Sequence, residues 1–338
     1  METTNDYDSN YTDYLDEMCS NLGGNNLGSR LSIIYYFMFL FSLFGSGLVL
    51  FIIHRFEKLT TVTNIFLLNL VLSSIIFMSS LPFIGVYMQL SNWIFNKVMC
   101  KIVGSIYYLG FYSSVLFLTL LTFDRHLAVV YSLSALRVRN RSYAVVSCIM
   151  VWVISSLACI QPMLIHTTFV NNIEHKTYCD EYSGSISHID VHMLKISGFY
   201  IQLLLFLILP LAVIIYCYIR IAITVLSSRI VTKFRTVRLI FIIVVFFFLS
   251  WTPFNIVLLM HDNTCEEKKR RFYALQVTRN IAYIYFCLSP IFYTFVGKKF
   301  QTYFKLMLVK QFPVLQKHIS VSYNNRTNSS TKSMQNEL

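Results

Sequence analysis

Charge is scarce in this chain. Only 13% of its 338 residues are Asp, Glu, Lys or Arg, against 56% apolar and 16% aromatic. Ordinary soluble domains carry about 25% charged residues, so that class is excluded. Glycine (11) and proline (6) are also few, which excludes collagen-like and low-complexity chains. The sequence lacks the Cys/His spacing of a metal site, a phosphate-binding glycine loop and any nucleophile motif, and its eight histidines are scattered. No enzyme chemistry, metal or cofactor is therefore expected. No short apolar run precedes the first long one, so no cleaved leader is expected and the first long segment serves as the membrane signal.

What is present is long apolar runs. Seven stretches, near residues 31–54, 65–89, 99–123, 143–165, 195–220, 237–260 and 273–296, can each cross a hydrocarbon core, which needs about 20 helical residues. Pro253, Arg279 and Pro290 interrupt the last two. The expected fold is all-α: a seven-transmembrane helix bundle over residues 31–296. It is flanked by an acidic tail (1–30), an amphipathic segment (297–312) and a polar tail (313–338). Assigning loops alternately to the two faces puts 18 of the 28 Lys and Arg on the C-terminal side and 13 of the 16 acids on the N-terminal side. By the positive-inside rule the N-terminus is extracellular and the C-terminus cytoplasmic. The formal net charge of +12 is then a topology signal, not a nucleic-acid patch. A transporter or channel tends to show inverted repeats or several midplane charges, and neither is evident.

Residues 1–30 set six acids (Glu2, Asp6, Asp8, Asp13, Asp16, Glu17) against one base, Arg30. Such a segment cannot bury enough apolar surface to fold alone. It reads either as a solvated tail or as an electrostatic collector for a basic partner. Tyr7, Tyr11 and Tyr14 lie among the acids, and Asn10-Tyr11-Thr12 is a glycosylation acceptor on the extracellular side. Of eight cysteines, Cys148, Cys159, Cys217 and Cys287 fall inside spans. Cys19, Cys100, Cys179 and Cys265 fall outside, where three pairings are open.

Several stretches carry chemistry beyond hydropathy. Asp124-Arg125-His126 ends the third span as an adjacent acid and base, followed by LAVV and the basic ALRVR. TNIFLLNL (63–70) opens the second span, and Ser80-Leu81-Pro82 kinks it. LPLAVIIYCY (209–218) contains Pro210 and Tyr218. RTVRLIFIIVVFFFLSWTPFNIVLL holds Trp251 beside Pro253, and the last span holds Ser289-Pro290-Ile291-Phe292-Tyr293. Together, over roughly residues 31–310, these resemble the chemokine-receptor branch of the rhodopsin-like G-protein-coupled receptors.

The resemblance implies two disulfides, Cys100–Cys179 and Cys19–Cys265. It implies a chemokine ligand captured by the tail, with Tyr7, Tyr11, Asp13, Tyr14 and Asp16 in that role, the tyrosines standing where the family carries sulfated ones. The ligand then enters a pocket bearing Tyr35, Tyr107, Tyr108, Arg279 and Tyr283. Arg279 stands where many members carry a glutamate; an intramembrane cation is either a functional site or one that snorkels outward. A heterotrimeric G protein would meet the switch formed by Asp124, Arg125, His126, Tyr218, Trp251, Pro253, Pro290 and Tyr293. The polar tail, with Ser320, Ser322, Thr327, Ser329, Ser330, Thr331 and Ser333, offers phosphosites through which arrestin would engage. The amphipathic segment (Lys298, Lys299, Lys305 and Lys310 with Phe300, Tyr303, Phe304 and Leu308) would lie on membrane lipid.

Where the family keeps Asn, Asp and Asn around a sodium ion, this chain has Ser46, Ser74 and Ser289, with Ser114 and Tyr285 beside them. Heavy use of Phe (29) and Tyr (22) fits an AT-rich genome. Combined with the resemblance, it points to a poxvirus-encoded receptor at the host plasma membrane, or to a host receptor of unusual codon bias. Signalling receptor and non-signalling decoy both remain open.

Overall fold

A computed structural model describes residues 26–56, 61–131, 139–171, 175–181, 191–228, 234–260, 264–296 and 301. Seven helical columns dominate it. The first is α1 (Asn26–Phe56). The second is α2 (Val62–Met78) continued by α3 (Leu81–Leu90). The third is α4 (Lys97–Val130), and the fourth is α5 (Arg141–Ala158) with the short α6 (Ile160–Ile165). The fifth runs through α7 (Val191–Leu203), a π-helical turn (Leu204–Ile208) and α8 (Leu209–Ser228). The sixth is α9 (Phe234–Leu259) and the seventh α10 (Cys265–Val296).

Local chemistry fixes the starts. The side chains of Asn96 and Asn140 accept from the backbone N–H of Met99 and Tyr143 at 2.8 and 2.7 Å, capping the third and fourth spans. Thr264 and Glu267 bond reciprocally to each other's backbone N–H at 3.3 and 3.2 Å, a capping box that starts the seventh. The break in the second span falls at Ser79-Ser80, ahead of Pro82. There the serine hydroxyls donate to the carbonyls of Ile76 and Phe77 at 2.6 and 2.8 Å, occupying backbone groups that the kink disturbs.

Six of the columns are long and apolar enough to cross a membrane: Ser32–Arg55, Val62–Leu90, Lys97–Val130, Arg141–Ile165, Met193–Ser227 and Ile240–Leu259. The seventh is long enough but opens with Glu266, Glu267 and four consecutive bases, Lys268 to Arg271. That polar start extends the helix eight residues ahead of the apolar run that begins at 273. Large apolar side chains such as Phe44, Leu226 and Leu249 lie exposed on the outside of the columns, as expected where the solvent is lipid.

One element departs from an all-helical reading. The loop after the fourth span folds into an antiparallel hairpin, β1 (His166–Asn171) against β2 (Lys176–Glu181), with Thr168 opposite Cys179. Cys100 and Cys179 form a disulfide that ties it to the head of the third span. Trp93 donates its N–H to the Thr177 carbonyl at 2.7 Å, and Thr177 donates to Asn92 Oδ1 at 2.8 Å. The hairpin is thus also fastened to the connection between the second and third spans. Trp93, Cys100 and Val103 pack beneath it with Phe83, Tyr87 and Phe95.

The main core is aromatic. Phe77 stacks on Phe286 with ring centres 3.9 Å apart and meets Tyr107, Trp251 and Tyr283 edge-on or tilted. Gly110 makes room for it: a Cβ there would lie within 2.6 Å of Phe77 side-chain and backbone atoms. The second and third spans meet closely because this position has no side chain.

Candidate functional site

At the hairpin end, four tyrosines from three spans converge. Tyr35 meets Tyr283 edge-on at 5.6 Å, Tyr107 lies 6.2 Å from Tyr283, and Tyr107 contacts Tyr108 at 5.2 Å. Tyr35 and Tyr283 are fully buried, while Tyr107, Tyr108 and Arg279 are half-buried. Gln276 donates its amide to the Tyr35 hydroxyl at 3.1 Å, joining the first and seventh spans. Arg279, one helical turn before Tyr283, is acted on electrostatically by Tyr283, Tyr107, Tyr35 and, from the hairpin, Asp180. Among the described residues it makes no hydrogen bond or ion pair.

The hairpin's Glu181 is already engaged. It accepts from Tyr108 at 3.4 Å and pairs with Lys195 of the fifth span at 3.8 Å. The five pocket residues expected from the sequence are thus brought together. Gln276, Glu181 and Lys195 were not singled out, because their roles depend on contacts between spans and with a hairpin that no periodicity announces.

Below this cluster Trp251 is completely buried. It packs on Phe111 at 4.1 Å and touches Phe77, Phe247, Phe254 and Phe286. Pro253 follows two residues later inside the same helix. Asn255 donates to the Trp251 carbonyl at 2.9 Å and accepts from Gln202 of the fifth span at 3.4 Å. A continuous column of rings therefore connects the tyrosine cluster to the hinge.

At the opposite end Asp124 is buried to 0% exposure and accepts four hydrogen bonds. Arg139 supplies two, Nε to Oδ1 at 2.7 Å and Nη2 to Oδ2 at 2.9 Å. Arg125 supplies one at 2.9 Å and Thr63 one at 3.0 Å. Full saturation of the carboxylate is what makes a charge tolerable at this depth. His126 is buried among Phe123, Tyr131 and Tyr216, and neither ring nitrogen has a partner among the described residues. Tyr218 sits edge-on to Phe241 at 5.0 Å. Pro290 of the seventh span is buried against Gly45 of the first.

The side chains of Tyr293 and Cys265 lie outside the described residues. So do Tyr7, Asn10, Tyr11, Asp13, Tyr14, Asp16 and Cys19, with them the Cys19–Cys265 pairing, and the amphipathic and tail segments beyond 301.

Residues 45–293 match the family "7 transmembrane receptor (rhodopsin family)". The chain is 34% identical over 322 residues to human C-C chemokine receptor type 1, covering 92% of this chain and 89% of that one. It is 35% identical over 306 residues to human chemokine XC receptor 1, with 88% and 87% covered. With C-C chemokine receptor type 3 of Cavia porcellus it shares 33% identity over 300 residues, with 86% and 82% covered. The chain belongs to the rhodopsin family of seven-transmembrane receptors, in its chemokine-receptor type. The receptor is accordingly a multi-pass membrane protein. Apart from Tyr35, the residues brought together above lie inside the matched span, and the Cys100–Cys179 bridge expected from the resemblance is present.

Proposed function

We propose that the receptor binds a chemokine at its extracellular face and signals through a heterotrimeric G protein at its cytoplasmic face. The observation that carries this is the aromatic column centred on Trp251. It joins a polar cluster under the disulfide-tethered hairpin to the bundle that ends in a saturated Asp124–Arg125 pair.

The hairpin end is the extracellular one on this reading, because the positive loops lie at the other end. The acidic tail, with its tyrosines, Asp13 and Asp16, collects a basic chemokine by long-range attraction. The segment that enters the bundle meets Tyr35, Tyr107, Tyr108, Tyr283 and Arg279. A shift there displaces Phe77 or Phe286 and so repacks Trp251 beside the Pro253 hinge, since packed cores switch between discrete arrangements. At the far end Arg125 leaves Asp124 to meet the G protein, while arrestin reads the Ser/Thr-rich tail. The AT-rich composition supports a viral gene acting at the host plasma membrane.

A labelled panel of C-C and XC chemokines on transfected cells, with G-protein activation read in parallel, tests both halves. Saturable binding with activation is expected. Saturable binding with no activation by any ligand selects the non-signalling decoy, and no binding across the panel overturns the proposal.

A further inference from the structure

Arg279 is a half-buried cation that forms no ion pair among the described residues. Of the described carboxylates, Asp180 of the hairpin acts on it electrostatically, and both Asp180 and its neighbour Glu181 have other partners. Glu181 is held by Lys195 and Tyr108, and Asp180 Oδ1 accepts from the Glu181 N–H at 2.7 Å. Neither forms an ion pair with Arg279. A guanidinium left half-buried among rings is costly unless something neutralises it.

The groups around it are biased toward donating. Gln276 donates to the Tyr35 oxygen, which leaves the Tyr35 hydroxyl proton to point at another acceptor. The Tyr107 and Tyr283 hydroxyls are not hydrogen-bonded to the described residues, and each can donate as well. One fixed cation, carrying five N–H donors in a planar fork, and three phenolic O–H groups form a site that is rich in donors. Such a site favours an anion over an ammonium group, which would meet Arg279 with like charge.

We infer that this cluster receives a carboxylate, carried on the ligand segment that enters the bundle and bound bidentately by Arg279. The inference rests on reading the hairpin end as the ligand site. It goes further by fixing the sign of the group received there, opposite to that expected of a site carrying glutamate at this position.

The first test does not require a known ligand. Purified full-length receptor in lipid nanodiscs is titrated at constant ionic strength with benzoate or with benzamidine, which share a ring and differ in charge. Benzoate is expected to raise the thermal unfolding midpoint and benzamidine to leave it unchanged. Arg279→Gln should lose the benzoate response. Arg279→Lys, which keeps the charge but not the fork, should retain part of it and serves if the glutamine variant folds poorly. Stabilisation by benzamidine, no benzoate shift in the wild type, or an equal shift in Arg279→Gln each overturns the inference.

The second test uses a chemokine that the panel shows to bind. Arg279→Gln should weaken it about thirtyfold or more, the range for truncating one partner of a buried charge pair. Amidation of acids in the chemokine's N-terminal segment should produce a loss that does not add to that of the receptor variant. Full additivity counts against the proposal. Failure of every chemokine to bind would overturn the proposed function and leave the benzoate result to decide this one.

Discussion

Arg139 holds both carboxylate oxygens of Asp124, at 2.7 and 2.9 Å, whereas Arg125, the next residue along the chain, holds only one. Two cations therefore share one anion, and the Arg125 Nε is buried with no partner among the described residues. A bidentate guanidinium–carboxylate pair is the stronger geometry. Asp124 is thus anchored chiefly to the start of the fourth span, and Arg125 is the weaker bound of the two.

Removing the competitor should tighten the resting pair. In Arg139→Ala, Arg125 becomes the single cation on Asp124 and can take both oxygens. Ligand-independent nucleotide exchange on a purified G protein is expected to fall severalfold, with Arg139→Lys intermediate because it keeps charge without the fork. An unchanged or raised basal rate would show that Arg139 does not compete with Arg125.

Removing the shared anion is the opposite experiment. Asp124→Asn leaves two guanidinium groups facing each other without a counter-ion. Breaking a fully buried pair costs about 3–5 kcal/mol. Here the figure is an upper bound, because the arginine side chains keep 16% and 23% exposure. Thermal unfolding of the purified receptor should show Asp124→Asn to be less stable than Arg139→Ala, and basal exchange should rise as Arg125 is freed. Equal stability of the two variants would contradict the four-bond description of Asp124.

The seven columns were legible in the sequence because an apolar run of helical length has few alternatives in lipid. The kink at Ser80-Leu81-Pro82 was legible from proline alone. The start of the seventh helix was not: Thr264 and Glu267 build a capping box in a charged stretch that hydropathy treats as loop. The hairpin was missed for a related reason. Its strands are held by Cys179, by Trp93 and by Asn92 from another loop, not by an alternation of their own. Asp124 and Arg125 were readable as neighbours, but Arg139 looked like one more residue of the basic ALRVR stretch. Only the fold shows that it turns back fifteen residues to reach the carboxylate.

Glycine positions give a packing test with an internal control. At Gly110 an added Cβ would come within 2.6 Å of the Phe77 backbone, whereas at Gly47 it would meet nothing within 4 Å. Gly110→Ala should force the second and third spans apart, costing about 1–3 kcal/mol as an overpacked core does, and should lower surface expression. Gly47→Ala should be neutral or stabilise by up to about 1 kcal/mol, since alanine is the better helix former. Equal effects of the two substitutions on the unfolding midpoint would refute the close approach at Phe77.

The acidic tail is expected to act at long range. Replacing Asp6, Asp8, Asp13 and Asp16 together by Asn should slow chemokine association and flatten its dependence on salt. Attraction between exposed charges is screened within about 10 Å at 0.1 M ionic strength. Dissociation should change less. Stopped-flow or surface-plasmon rates measured at two salt concentrations decide this, and unchanged on-rates would remove the tail from ligand capture.

The middle of the bundle leads to the last prediction. Ser74 donates to the Leu70 carbonyl at 3.0 Å and Ser289 to the Phe286 carbonyl at 3.2 Å, so both hydroxyls serve their own helices. Ser46, Ser114 and Tyr285 have buried oxygens with no partner among the described residues. All are neutral. Asp124, on the same helix as Ser114, lies ten residues away, roughly 15 Å along the axis. Neutral hydroxyls are a poor cage for a monovalent cation, and a carboxylate placed alone at this depth would cost at least ~2.5–3.5 kcal/mol. A cation that binds only the resting state stabilises it by RT ln(1 + [L]/Kd), about 1.4 kcal/mol at tenfold excess. A receptor without that brake should have an active fraction up to roughly tenfold higher. Agonist affinity is therefore expected to be insensitive to sodium, and basal G-protein activation to be elevated and equally insensitive. The measurement replaces a bulky inert cation by sodium at constant ionic strength. Agonist binding that weakens as sodium rises would show that these hydroxyls do hold the ion.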